Sequence, residues 1–218
     1  MSRFLNELEA SRLLSEAGID MAGCRVAAGV SEAEAIAETI GFPVVMKVLS
    51  ADIQHKTDAG CVFIGVENKQ DVVKTYETIM GNAKKHAPAA HIDGVLIQEM
   101  AASGLEIIAG LKRDPQFGPV ILVGMGGIYV EVFHDVSMRL IPVSRDDIEE
   151  MLKETKVIKL IEGARGKVYD KAALIDALLR LSELAVKRTD IEEIDINPLF
   201  LYEEGKGLKG VDALIRIS

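Results

Sequence analysis

Apolar positions recur along the chain in two alternating periods. Leu5, Leu8, Leu13 and Leu14 fall at roughly helical spacing and predict a helix over 6–17, ending before Gly18. Ser31 and Glu34 predict a capping box at the start of a second helix, which Gly41, Phe42 and Pro43 stop. Residues 44–49 form an apolar strand interrupted by a single charge, Lys47. A polar loop, SADIQHKTDAG over 50–60, leads to a second strand at 62–66. Residues 69–85 are amphipathic, with Val72, Val73, Tyr76 and Met80 on one stripe.

The second half alternates more often with period two. Strands are predicted at 94–99, 105–111, 118–123, 128–133 and 136–143, followed by a helix capped by Ser144 and Asp147 and another over 171–187. The chain closes on a hairpin: IEEIDINPLFLY, the turn EEGKG, and LKGVDALIRIS. HAPAAHIDG interrupts the pattern near 86–94, so two lobes are expected, 1–90 and 91–218. The pattern is α+β with largely antiparallel strands in the second half.

Composition narrows the field. A chain of 218 residues can bury a sizeable core, and 49% hydrophobic with 27% charged residues is ordinary for a globular protein. No apolar run reaches the roughly 18 residues of a membrane span. The opening residues, MSRFLNELEASRLL, lack a signal-peptide pattern, so a cytoplasmic location is expected. Cys24 and Cys61 have neither disulfide-framework nor zinc spacing. The net charge of −9 argues against a nucleic-acid partner and means that a phosphate ligand would need a local cluster of cations.

Lys47 is the first candidate for such a cluster. A lysine in an apolar strand either meets an anion or carries its ammonium out to water along its stem. The loop that follows holds His55, Lys56, Asp58 and Gly60, and loops of this kind serve either as phosphate covers or as plain solvated hairpins. Gly124, Met125, Gly126 and Gly127 allow close backbone approach or simply a tight turn. Glu131 shares a strand face with Tyr129 and Phe133; Asp135 and Arg139 follow.

The hairpin makes the most geometric case. Asp195 and Asn197 are two apart and share a strand face. With the turn near Gly205, Asn197 falls opposite Asp212, and facing residues lie about 4.5–5.5 Å apart at Cβ. Two or three oxygens from Asp195, Asn197 and Asp212 could meet on one magnesium ion, which takes one or two protein carboxylates plus phosphate oxygens. Alternatively, Asn197 and Pro198 mark a bulge or strand end, and Asp212 caps a turn.

Taken in order, VVMKV, SADIQHKTDAG, QEM, GLEIIAGLKRDPQFGPVILVGMGGIYVEVFHDVSMRLIPV, EIDINPLF and VDALIRI resemble the ATP-grasp domain of ADP-forming acyl-CoA synthetases. More distantly, they are similar to the beta subunit of succinyl-CoA synthetase. The resemblance runs from about residue 3 to the end. It implies an ATP-grasp fold whose two lobes grip ATP or ADP with Mg2+. It implies that Lys47 contacts nucleotide phosphates, with Lys56 and Gly60 in the phosphate loop. Glu99 and Met100 would lie at the hinge near the adenine, and Glu106 close to the nucleotide. Asn197 and Asp212 would be the magnesium ligands, and His55 a histidine that carries phosphate temporarily. Cys61 stands where the family usually has a second loop glycine, so its side chain could stiffen the loop or crowd the phosphates.

The family converts acyl-CoA, ADP and phosphate to acid, CoA and ATP, reversibly. That reaction needs a CoA-binding part, and no G-x-G-x-x-G follows a strand here. A CoA-binding alpha subunit, or the other half of a fused chain, is therefore the expected partner. The competing expectations are another ATP-grasp carboxylate ligase, the ATP-grasp-like regulatory module of a protein acetyltransferase, or a binding module that has lost catalysis.

Overall fold

The computed structural model describes residues 2–53, 55–127, 135–164 and 166–218. The strand expected at 128–133, with Tyr129, Glu131 and Phe133, lies outside the described residues.

The chain divides into two compact units. One comprises residues 6–11 and 22–101. Its strands β2 (Cys24–Ala27), β3 (Val44–Leu49), β4 (Val62–Val66) and β5 (Gly94–Glu99) form an antiparallel sheet in the order β2-β5-β3-β4. The expected lobe boundary at 90/91 is therefore displaced to 101/102, because β5 pairs along its whole length with β3 and stays in the first sheet.

Helices α2 (Val30–Ile40) and α3 (Lys69–His86) supply the apolar cover of this sheet. Ala33, Ile36, Ala37, Val72, Tyr76, Ile79 and Ala83 share one core with Val44, Met46, Val48, Val95 and Ile97. The buried stripe of α3 runs through Val72, Thr75, Tyr76, Ile79 and Ala83, and the expected Val73 and Met80 lie half-buried at its margins. The capping box expected at Ser31 does not form. The helix begins two residues earlier, Gly29 is its N-cap, and Glu32 instead accepts from the Ala28 N–H at 2.8 Å.

The second unit comprises residues 1–5, 12–21 and 102–218. Among the described residues its sheet follows the order β1-β11-β9-β6-β7-β8, with β10 also on β9. Here β1 is Arg3–Phe4, β6 Leu105–Asp114, β7 Gly118–Met125, β8 Val136–Leu140, β9 Ile191–Leu201, β10 Leu208–Gly210 and β11 Ala213–Ile217. Strand β8 ends earlier than the expected 143, because Pro142 has no N–H to continue a ladder. Helix α4 (Arg145–Glu154) carries the expected capping box, the Ser144 hydroxyl accepting from the Asp147 N–H and the Asp147 carboxylate from the Ser144 N–H. A short α5 (Val157–Ile161) and the long α6 (Lys171–Lys187) complete the unit, with Leu174, Leu178 and Leu181 of α6 fully buried. The first helix, α1 (Glu7–Glu16), contributes residues to both units.

Candidate functional site

Alternation along β3 decides the surroundings of Lys47. Val44, Met46 and Val48 point into the helix-covered core, so Lys47 points to the opposite face of the sheet. There it is 8% exposed, and its ammonium donates to Glu7 Oε1 at 2.8 Å. The other Glu7 oxygen accepts from Lys56 Nζ. One carboxylate from the first turn of α1 thus bridges the strand lysine and the loop lysine. Burial alone would push the Glu7 carboxyl up, but the charges and hydrogen bonds of Lys47 and Lys56 outweigh it and hold the group below its ordinary value.

The loop after β3 is compact. The Ala59 N–H donates to the His55 carbonyl and Cys61 N–H to the Lys56 carbonyl, closing helical turns. Gly60 takes a φ of +63°, and its carbonyl accepts from Asn82 Nδ2 at 2.7 Å. The His55 side chain is exposed. Cys61 is fully buried in the core among Val48, Ile79 and Ala83, and that burial pushes its thiol up. Its thiol lies 3.4 Å from the Ala59 carbonyl and 3.8 Å from the Ile79 carbonyl.

At the end of β5, the Glu99 N–H donates to the Gly23 carbonyl at 2.8 Å, and the Glu99 carboxylate accepts from the Gly23 N–H. Both groups are engaged in joining Gly23 to β5. Met100, next in the chain, is 40% exposed.

The second unit assembles a separate cluster. In β6 the deeply buried Ile107, Ala109 and Leu111 alternate with Glu106, Ile108 and Gly110. Asp195 pairs with Gly110, and Ala109 with Ile196, which leaves Asp195 on the face opposite the buried set. The loop after β7 is held close to β6: the Gly126 N–H donates to the Glu106 carbonyl at 2.8 Å. A Cβ at Gly126 would stand 2.6 Å from the Ile107 carbonyl carbon, and one at Gly124 2.2 Å from the Asp135 oxygen. A Cβ at Gly127 would strike the Glu106 carboxylate. These glycines therefore permit close backbone approach and do more than form a turn. The Gly127 N–H donates to Asn197 Oδ1 at 3.0 Å, which brings Glu106, the glycine loop and Asn197 together.

The hairpin has the expected register. Ile196 pairs with Ala213 and Leu199 with Gly210, and between them the Asn197 N–H donates to the Asp212 carbonyl at 3.3 Å. The ladder to β6 slips at the same place, between Ile107 and Ala109. Pro198 thus sits at a bulge inside a central strand that continues to Leu201, and the alternative of a strand end does not hold. Asp195 Oδ1 is buried and makes no hydrogen bond among the described residues. Burial, with the nearby charges of Glu193 and Asp212, pushes its carboxyl up. No group of three or more His, Cys, Asp or Glu able to hold a metal occurs among the described residues. A set of one or two carboxylates and an amide oxygen instead suits an ion that draws its remaining ligands from phosphate and water. A cation here would relieve the uncompensated acid at Asp195.

Asp135 and Arg139 belong to the scaffold. Asp135 accepts from the N–H groups of Lys156 and Val157 at the start of α5. Arg139 forks onto Glu154. A cavity of about 420 Å³ lined by Ile161, Tyr169, Asp170 and Lys171 contains none of the expected site residues. Glu7 is the residue that sequence reasoning missed: in the sequence it is simply one polar position on an amphipathic helix.

Residues 1–217 match the ATP-grasp domain family. The chain belongs to the ATP-grasp family. Its homologues include the beta subunit of ADP-forming acetate–CoA ligase I of Pyrococcus furiosus, 43% identical over 93% of this chain and 88% of that one. The ADP-forming acetate–CoA ligase I of Archaeoglobus fulgidus is 45% identical over 88% of this ATP-grasp chain, which spans only 28% of that longer protein. Among solved structures, acetyl-coenzyme A synthetase 1 of Ca. Korarchaeum cryptofilum superposes with a TM-score of 0.94 at 43% identity, covering 99% of this chain and 94% of that one. The same synthetase was also solved with coenzyme A and Mg-AMPPCP, its phosphohistidine segment pointing towards the nucleotide binding site, and there the TM-score is 0.86 at 40% identity, covering 99% and 93%. No described helix of this chain is long and apolar enough to cross a membrane.

Proposed function

We propose that this chain is the nucleotide-binding beta component of an ADP-forming acyl-CoA synthetase. It would work with a CoA-binding alpha partner, or with the other part of a longer chain, to interconvert acyl-CoA, ADP and phosphate with acid, CoA and ATP. The observation that carries this reading is the pair of lysines, Lys47 and Lys56, gathered on one carboxylate beside an exposed histidine, in a chain 43% identical to such a beta subunit.

In this reading Lys47 and Lys56 neutralise phosphate charge while the reacting atoms are held in line. His55 takes the phosphoryl group from the partner's phosphohistidine: one P–N bond breaks as another forms at the His55 imidazole. An oxygen of the ADP β-phosphate then attacks, the His55 P–N bond breaks, and ATP results. Glu99 and Met100 flank the base, and Glu106 and Gly60 lie near the nucleotide. Asn197 and Asp212 would hold magnesium, which when bound supplies further neutralisation of the phosphates.

Calorimetric titration with Mg-ADP tests the reading. Lys47→Ala should weaken binding about tenfold or more, the worth of one charge-assisted hydrogen bond. Equal affinity in wild type and variant would remove Lys47 from the site.

A further inference from the structure

We infer that Glu7 is a positioning residue of the phosphate site: its carboxylate holds Lys47 of the β3 strand and Lys56 of the His55 loop beside one another. This rests on the nucleotide reading of the two lysines and adds to it a residue from a third element.

Glu7 stands in the first turn of α1, 40 residues from Lys47 and 49 from Lys56, and all three belong to the same compact unit. Each oxygen of the carboxylate serves a different ammonium. The side chains are 11% exposed at Glu7 and Lys47 and 21% at Lys56, so the cluster is largely withdrawn from water. A buried carboxylate needs one cation for neutrality. Here each oxygen receives its own ammonium, and the one carboxylate thereby fixes the two lysines beside each other. Glu7 stays ionised at neutral pH because the two ammoniums outweigh the effect of burial.

The tie also bears on the loop. Its ends are fastened elsewhere: the Ser50 hydroxyl donates to the His91 carbonyl at 2.6 Å, and the Gly60 carbonyl accepts from Asn82. Lys56, next to His55, is fastened in mid-loop by Glu7. Through Lys56, Glu7 thus registers the histidine loop against the strand that carries Lys47.

The test titrates Mg-ADP into wild type, Glu7→Gln, Glu7→Asp and Lys47→Ala, with the melting temperature of each measured and the rate of tryptic cleavage after Lys56 followed. Glu7→Gln should bind about tenfold more weakly, in keeping with the loss of a charge-assisted contact. It should also be cut after Lys56 several times faster, and Glu7→Asp, which keeps the charge, should recover most of both. A Glu7→Gln protein that melts lower but binds and is cleaved like wild type would overturn the inference and leave Glu7 an anchor of α1. Tighter binding in Glu7→Gln would overturn it too, showing a carboxylate that competes with phosphate. Unchanged affinity in Lys47→Ala would overturn the nucleotide reading itself, and this inference with it. If Glu7→Gln does not fold, Lys56→Gln breaks one arm with the Glu7–Lys47 pair intact. Faster amide hydrogen exchange over 55–60 in that variant without nucleotide supports the inference, and exchange like that of wild type overturns it.

Discussion

Asn197 and Asp212 stand directly across the terminal hairpin, the Asn197 N–H donating to the Asp212 carbonyl at 3.3 Å. The Asn197 side-chain oxygen is turned to the Gly127 N–H, and Asp212 is close enough to Asp195 to raise its carboxyl. If these groups hold magnesium, Asp212→Asn should weaken Mg-ADP binding about tenfold or more while metal-free ADP binding changes little. Titrations with and without magnesium check this. Equal losses in both would place Asp212 outside the metal site.

His55 should be needed for transfer and not for binding. In the enzyme assembled with its CoA-binding partner, His55→Ala should retain Mg-ADP affinity and lose passage of label between ATP and the partner. Undiminished labelling and turnover would reduce His55 to an ordinary surface residue of the loop.

Gly124 should not tolerate a methyl group. Its Cβ would lie 2.2 Å from the Asp135 carbonyl oxygen and 2.9 Å from the Val136 Cα, both backbone atoms paired with β7. Gly124→Ala should cost roughly 1–3 kcal/mol of stability, as overpacking of a tight interior does. Urea unfolding measures this. Gly81→Ala, inside α3 and where a Cβ meets nothing within 4 Å, is the control.

The Arg139–Glu154 fork should make stability depend on acid. The hydrogen bonds from Arg139, then Ser137, lower the Glu154 carboxyl from 4.5 to about 2. A carboxyl depressed in the folded state contributes stability that is fully present above its unfolded value and is lost as pH falls from about 4.5 through 2. Glu154→Gln should flatten this part of the pH–stability curve in urea titrations. Because the Glu154 side chain is half exposed, the effect should shrink with added salt.

Local regularities made much of this molecule legible in advance. The 3.6-residue period marked α1, α3 and α6, and Ser144 with Asp147 marked the start of α4, because caps and amphipathic stripes depend on neighbours a few residues away. The hairpin register placed Asn197 across from Asp212, because a short turn leaves few ways to pair its strands. Propensity alone misplaced the start of α2 and the end of β8, where Gly29 and Pro142 decided.

Other features were settled only by tertiary structure. β5 joined the first sheet and moved the lobe boundary, a choice among long-range pairings that no local pattern encodes. The burial of Cys61 depended on which face of the loop met α3. The Gly127–Asn197 contact spans 70 residues, and the Glu7 bridge to Lys47 and Lys56 spans 40 and 49. In the sequence, Lys47 is a charge that needs an anion, and nothing within reach of local periodicity says which. Only folding, by burying both groups on the same face of β3, makes Glu7 that anion, since a buried charge must find its counterion wherever the chain brings one.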